Sequence, residues 1–254
     1  MTHIDLSGLK ILLTGASQGI GKVTAAYLIK MGAQVAIHYN SSEASAESLI
    51  TENNSTNSGL FKADLNNESE VKALLNNVLI EFGSLDVIIL NAGVALPHSI
   101  NENSNDWFSV WKKTININLN SAGLLTKLGI DYFKEQKGGR FIYIGSRAAF
   151  RGETEDYLAY AASKGGLTSL ARSVARSFGK ENIKSFVIAP GFTKTQMADA
   201  FIEKYGEERI LSEISLNELT KPSDIAPLIA LMSSGLMDHA TGATIDVNAG
   251  SHIR

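Results

Sequence analysis

The stretch Thr14-Gly15-Ala16-Ser17-Gln18-Gly19-Ile20-Gly21 lies between a short apolar run, Lys10–Leu13, and a helical pattern that continues to Met31. Its glycines let the chain turn sharply and let the backbone approach a pyrophosphate with no Cβ in the way. The helix that follows offers unpaired N–H groups and a partial positive charge at its N-terminus, which suits a phosphate. An ordinary strand-to-helix turn has the same local grammar. The context favours a nucleotide site, because a first strand here enters a β-α-β unit.

Outward from this turn, β-type runs alternate with longer helical stretches to the end of the chain. The strand candidates are Lys10–Leu13, Gln34–Tyr39, Gly59–Ala63, Asp86–Leu90, Arg140–Ile144, Ser185–Ala189 and Thr244–Val247. Most are continuous Val/Ile/Leu/Phe runs, as parallel strands covered on both faces require. Between them, Glu68–Phe82 repeats Val71, Leu74, Leu75, Val78, Leu79 and Phe82 at helical spacing, with Asn66 or Asn67 as cap and Gly83 as stop. Glu52–Ser58 and Pro97–Asn105 read as surface connections. The pattern predicts an α/β fold: one doubly wound Rossmann-type domain over residues 1–254, with a seven-stranded parallel sheet flanked by helices.

Bulk composition narrows the function classes. With Lys+Arg 23 against Asp+Glu 26, a net charge of -3 and no basic block, nothing favours nucleic acid or an anionic membrane. The absence of cysteine excludes disulfides, thiolate metal sites and Cys nucleophiles, and the five histidines form no ligand cluster, so no metal is expected. Met1-Thr2-His3-Ile4-Asp5 lacks the start of a signal peptide, and no apolar stretch approaches the roughly 20 residues that span a bilayer. A cytoplasmic location is the expectation.

Further along come Asn91-Ala92-Gly93 after the fourth strand, Asn118 in the next long helix, Ser146 at the end of the fifth strand, Tyr160-x3-Lys164 in the helix after it, and Pro190-Gly191 after the sixth. With Gly15-x3-Gly19-x-Gly21, this order and spacing resembles the short-chain dehydrogenase/reductase family, and the resemblance spans nearly the whole chain. One departure is Leu90, which stands where the family has the first Asn of Asn-Asn-Ala-Gly. The ending Gly242…Asn248-Ala249-Gly250 looks most like the 3-oxoacyl-acyl-carrier-protein reductase-like members.

The chemistry of these residue types agrees. Hydride transfer to a carbonyl leaves a developing alkoxide that needs a proton. A phenol can give it, but at a pKa of about 10 it needs a cation beside it to work near neutrality. Tyr160 and Lys164 are four apart and share one helix face. Ser146 can hold the carbonyl oxygen. The resemblance implies further that Lys164 binds the nicotinamide ribose and that Asn118 supports a proton-relay water. Each residue also has an ordinary reading, as packing, strand end or solvated charge. Tyr157 has Ala161, not a lysine, four residues on, so Tyr160 is the better candidate. Ser146 and Tyr160 are 14 residues apart, one more than the commonest family spacing, and the extra residue is assigned to the Arg151–Asp156 loop.

The cofactor implied is a nicotinamide dinucleotide, held by Gly15, Ser17, Gln18, Gly19, Ile20 and Gly21, by Asp64-Leu65 on the adenine side, by Asn91, Ala92 and Gly93, by Tyr160 and Lys164, and by Pro190, Gly191, Thr193 and Thr195. Asp64 reads equally as a helix cap. At the end of the second strand, His38-Tyr39-Asn40-Ser41-Ser42 puts Tyr39 at about the site where a carboxylate would repel a 2′-phosphate. With no acid there and with Asn40, Ser41 and Ser42 as donors, NADP(H) is favoured and NAD(H) possible. Gln18 weighs the other way, since NADP-preferring relatives often carry Arg or Lys there.

The substrate is a small carbonyl or alcohol, most like that of a 3-oxoacyl-carrier-protein reductase. A sugar or polyol dehydrogenase is the alternative, and a non-catalytic dinucleotide sensor the alternative of another class. A small substrate-covering segment is expected at 193–219, where Met197, Ala200 and Phe201 line a pocket or pack onto the body. Arg147 and Arg151 meet either an anionic substrate or, more simply, Glu153 and Glu155. A homo-oligomer, a tetramer by resemblance, would pair helices at about Asp106–Gln136 and Tyr157–Lys180 through apolar positions such as Leu124, Leu128, Leu167, Leu170 and Val174.

Overall fold

Seven strands, β1 (Lys10–Leu13), β2 (Gln34–Tyr39), β3 (Gly59–Lys62), β4 (Val87–Leu90), β5 (Gly139–Ile144), β6 (Ile183–Pro190) and β7 (Thr244–Val247), form one parallel sheet in the order β3-β2-β1-β4-β5-β6-β7. The structure, a computed structural model, describes residues 4–254; the side chains of Met197, Ala200, Phe201, Lys204, Tyr205 and Glu207 lie outside the described residues. The pocket expectation for Met197, Ala200 and Phe201 therefore falls outside them too.

Helices cover both faces, which is why the strands read as continuous apolar runs. Successive residues of β1 and β5 point to opposite faces. Leu12, Phe141 and Tyr143 join one core with Ile88, with Val71, Leu74 and Val78 of α3 (Glu68–Phe82), Leu125 of α5 (Ser121–Glu135) and Leu167 and Val174 of α7 (Leu158–Phe178). Ile11, Leu13 and Ile142 join the other, with Ala25 and Leu28 of α1 (Gly19–Lys30), Ala46 and Leu49 of α2 (Glu43–Glu52) and Ile225 and Ile229 of α10 (Pro222–Ser233). Leu167 and Val174 are buried in the first core, and Leu124, Leu128 and Leu170 pack against it while staying partly exposed. Among the described residues no helix is long and apolar enough to cross a membrane.

Local signals set α3 well. The Asn67 side chain accepts from Ser69 N, and Gly83 closes the helix at φ 72. Pairing, not composition, sets the strand ends. β6 runs from Ile183 opposite Gly139 to Pro190 opposite Val247, so it takes in Lys184 and Pro190, which an apolar run omits. The expected long helix at about Asp106–Gln136 runs without a break from Ser104 to Glu135, as α4 (Ser104–Ile115) and α5 joined through one π-helical turn at Asn116–Asn120, which carries Asn118. Such wider turns recur at functional sites. Pro97–Asn105 is not wholly a surface connection. His98 is buried, its N–H donates to the Asp156 carbonyl, and its Nε2 faces Ala159 N at 3.3 Å.

Strand order reverses between β1 and β4. The chain leaves the sheet in opposite directions on either side, and a crevice opens at the C-terminal strand ends.

Candidate active site

The glycine turn after β1 is shaped by close backbone approach. A Cβ on Gly15, at φ +63, would lie 2.8 Å from Ala92 Cα, and one on Gly21 would lie 2.1 Å from the Gly15 carbonyl oxygen and 2.6 Å from Asn91 Nδ2. Asn91 fills that corner: its Nδ2 donates to the carbonyls of Thr14 (2.8 Å) and Gly15 (2.9 Å), while Thr14 Oγ1 accepts from the N–H groups of Asn91 and Ala92. β1 and β4 are thereby stitched together where the crevice opens. Leu90, the family departure, is buried in the core beside this corner.

Gly19 is different. At φ +54 it has only Thr195 near its missing Cβ, at 3.4 Å, so backbone conformation is its constraint. Gly19→Val is expected to leave the fold intact and weaken cofactor binding by about tenfold, since a left-handed conformation costs a branched residue about 1–2 kcal/mol. Circular dichroism with cofactor titration checks this, and a folded variant with parental affinity would show that the phosphate site is misplaced. The N-cap residue Gln18 makes no side-chain cap bond, so the first-turn N–H groups of α1 remain available to an anion.

A cleft of about 460 Å³ runs from this turn along the strand ends. It is lined by all the residues assigned above to cofactor binding, from Gly15, Ser17, Gln18, Gly19, Ile20 and Gly21 through Asn40, Ser41, Ser42, Asp64, Leu65, Asn91, Ala92 and Gly93 to Pro190, Gly191, Thr193 and Thr195. Asp64 is not the cap of α3, because Asn67 is. Tyr39 does not line the cleft: it is buried in the core and its hydroxyl donates to Glu43 Oε1 (2.9 Å). Asn40, one residue on, occupies the cleft wall instead. A more open hollow of about 890 Å³ against α4 is lined by none of the residues assigned to catalysis or cofactor binding.

Ser146, Tyr160 and Lys164 meet at the other end of the cleft. The Tyr160 hydroxyl lies beside Ser146, close enough for the serine to act on its titration. Burial pushes the phenol up from its ordinary value, Ser146 and the Arg147 charge draw it down, and the Glu153 charge raises it. Lys164 is buried, its Nζ donates to the Ile144 carbonyl (2.7 Å) and stands 5.8 Å from the Tyr160 ring centroid, and burial lowers it to about 8. The ammonium is directed at the strand end, so the charge drawing the phenol down in this structure is that of Arg147. Asn118 stands one layer behind the cleft wall. Its Oδ1 accepts from Val94 N (2.8 Å), and its Nδ2 donates to the Val94 carbonyl (2.9 Å) and Ser163 Oγ (3.0 Å). Gly93 separates it from open space; a Cβ there would sit 3.3 Å from Asn118 Oδ1 and 3.4 Å from Lys164 Nζ.

The arginines differ in part from expectation. Arg147 is buried at 2% exposure and pairs with Glu213 (3.3 Å), as does Arg151 (3.1 Å), so both reach across to the segment after α9 (Glu207–Ser212). Burial pushes the Glu153 carboxyl up, against the pull of both arginine charges, which draw it down. The Arg147 guanidinium also stacks over Phe192 at 4.5 Å. Sequence reasoning passed over His38, Val94, Ala95, Glu153 and Phe192 as cleft residues, and set Tyr157 aside although it lines the cleft too. Glu153 was signalled by its place in the Arg151–Asp156 loop, to which the long Ser146–Tyr160 spacing pointed, and by the two arginines beside it.

Comparison with known proteins agrees with this geometry. The family described as enoyl-(acyl carrier protein) reductase matches residues 15–252. The 3-oxoacyl-[acyl-carrier-protein] reductase FabG of Staphylococcus aureus (strain Mu50) is 31% identical over 244 residues, covering 95% of this chain and 97% of the relative. That of Pseudomonas aeruginosa is 32% identical over 254 residues, covering 98% and 100%. Among solved structures, a 3-ketoacyl-(acyl-carrier-protein) reductase from Brucella melitensis complexed with NADH superposes with a TM-score of 0.88 at 25% identity, over 98% of this chain and 100% of that one. A putative gluconate dehydrogenase from Agrobacterium tumefaciens shares the fold with a TM-score of 0.90 at 24% identity, over 99% and 98%. A nucleotide cradle at the β1–β4 switch, a Ser–Tyr–Lys end to the same cleft and relatives matched over nearly their whole length together place this chain in the short-chain dehydrogenase/reductase family, as an oxidoreductase.

Proposed function

We propose that the chain is an NADP(H)-preferring reductase that converts a ketone, of the 3-oxoacyl type carried by its relatives' substrates, to a secondary alcohol. The observation that carries this is the meeting of Ser146, Tyr160 and Lys164 in the same cleft as the glycine cradle. The cradle suits a dinucleotide: Gly15 and Gly21 leave no room for a Cβ, and the α1 N-terminus faces the space with no side-chain cap of its own. Bound there, a nicotinamide dinucleotide supplies the hydride. Ser146 then holds the substrate carbonyl oxygen, and Tyr160 delivers the proton that the developing alkoxide needs. Lys164, buried and cationic, orients the ribose side, and the Arg147 charge favours the phenolate left behind; Asn118 keeps the Val94 backbone and the Ser163 hydroxyl in register beside it.

The test is a panel of 3-oxoacyl thioesters, simple ketones and sugar ketones with each cofactor, read at the nicotinamide absorbance. Turnover of thioesters supports the reading. Tight cofactor binding with no turnover of any carbonyl would replace it with a sensor.

On cofactor choice, Asn40, Ser41 and Ser42 line the cleft and no carboxylate does at the end of β2. NADPH is expected to bind more tightly than NADH by a modest factor. Asn40→Asp should reverse this, because its charge repels a 2′-phosphate and accepts from a 2′-hydroxyl. Titration of both cofactors into both proteins checks it, and a parental preference for NADH would overturn it. The family resemblance implies a homotetramer through α4–α5 and α7, which light scattering in solution decides.

A further inference from the structure

His38 is the next-to-last residue of β2 and lines the cleft, yet it is only 2% exposed and has no part in the mechanism above. Its two ring nitrogens are both engaged. Gly15 N–H donates to Nδ1 at 2.9 Å, and Nε2 is 3.0 Å from the Ala63 carbonyl. A backbone N–H is only a donor and a carbonyl only an acceptor, so Nδ1 carries the lone pair and Nε2 the proton. The contacts select one neutral tautomer. The backbone of the same residue adds a third tie, since Ala16 N–H donates to the His38 carbonyl at 2.9 Å.

We infer that His38 is a positioning residue for the dinucleotide site, an imidazole strut that ties the first glycine of the phosphate turn to the end of β3. Two consecutive N–H groups of the turn, those of Gly15 and Ala16, end on this one residue. At its far side the ring holds Ala63, directly before Asp64-Leu65, which line the opposite wall of the cleft. One side chain therefore sets the distance between the wall next to the phosphate turn and the wall next to Asp64. An aliphatic residue of equal size would leave a buried N–H and a buried carbonyl without partners, and the turn would be free to drift from β3. Burial pushes the ring down to about 4, so the neutral form that the two contacts require persists at ordinary pH.

The place of His38 in the sheet decides which step it serves. β2 lies on the β3 side of β1, whereas Ser146 follows β5, beyond β4. The strut touches the cofactor half of the cleft and not the reacting end. Its loss should therefore appear in cofactor affinity and leave kcat at saturation nearly unchanged.

The inference rests on the cleft being a dinucleotide site, and the experiment separates the two. NADPH and NADH are titrated into the parent, His38→Leu and His38→Asn, with KM and kcat measured on the best carbonyl. Asn offers an oxygen close to the position of Nδ1 and so restores the acceptor for Gly15 N–H. His38→Leu should weaken cofactor binding by about ten- to hundredfold with kcat within about twofold, and His38→Asn should recover most of the affinity. A folded His38→Leu with parental affinity, a His38→Asn no better than His38→Leu, or a loss confined to kcat would each overturn the strut. Should His38→Leu not fold, the ring nitrogen spectrum of the parent decides: one histidine, absent in His38→Asn, must show the Nε2–H tautomer and remain neutral down to about pH 5. If the parent itself binds neither cofactor, the dinucleotide reading fails instead.

Discussion

Tyr160→Phe is expected to lower kcat by about 10²–10⁴-fold with cofactor affinity little changed, because positioned acid catalysis contributes on that order and the substitution removes only a hydroxyl. The ring stays, and with it the packing beside Lys164. What disappears is the hydroxyl beside Ser146 at the reacting end of the cleft. Tyr157→Phe is the internal control: Tyr157 lines the same cleft, so it shares the environment, but no lysine stands four residues on. It should remain near the parent. Lys164→Met should also lose activity, and with weaker cofactor binding. Steady-state kinetics on the best carbonyl, with cofactor titration alongside, distinguishes the three. A Tyr160→Phe enzyme with the parental rate would falsify the mechanism; a dead Tyr157→Phe with an active Tyr160→Phe would move the proton donor by three residues.

Gly21→Ala should be the most damaging single-methyl change in the cradle. Its Cβ would sit 2.1 Å from the Gly15 carbonyl oxygen and 2.6 Å from Asn91 Nδ2, both of which belong to the stitch between β1 and β4. The neighbour that must move is backbone, so relief requires the turn to shift or Asn91 to give up its bonds to Thr14 and Gly15. Overpacking of this kind costs about 1–3 kcal/mol, and two hydrogen bonds add about 1–3 more. A total of about 3 kcal/mol would lower Tm by roughly 6–12 °C in a chain of this length, with cofactor binding weakened by at least tenfold. Gly123→Ala in α5, where a Cβ meets nothing within 4 Å, should be neutral or stabilising by up to about 1 kcal/mol. Thermal melts of the two variants against the parent check the contrast. Equal melts for both would mean that the close approach at Gly21 does not constrain the turn.

The arrangement of strands and the two ends of the cleft were legible in sequence for separate physical reasons. Strands covered on both faces are mostly apolar, and so β1 and β2 stood out as runs between the helical stretches. The cradle was legible because close backbone approach admits only glycine at positions such as 15 and 21, and because Asn91 follows a strand at the switch point. Tyr160 and Lys164 were legible because helical periodicity puts residues four apart on one face.

Other features depend on which residues from distant parts of the chain become neighbours, and no local pattern encodes that. Arg147 and Arg151 looked like partners for the nearby Glu153 and Glu155, but the fold brings Glu213 to them as well, from more than 60 positions away. Tyr39 looked like the cofactor-selecting position, but the strand twist and the core turn it onto Glu43 and leave Asn40 at the wall. The helix at Asp106–Gln136 was periodic enough to read as one piece; the π-turn that carries Asn118 inward is settled by its bonds to Val94 and Ser163. His38 read as one apolar-strand residue among others. It became a strut only once β1 and β3 were laid on either side of β2, because a ring has two nitrogens and only the folded sheet supplies a donor to one and an acceptor to the other. Periodicity and backbone sterics are written residue by residue, and so the sequence by itself determined the sheet, the cradle and the Tyr–Lys pair. Charge pairing, burial and hydrogen-bond closure are properties of pairs, and those the tertiary structure alone decided.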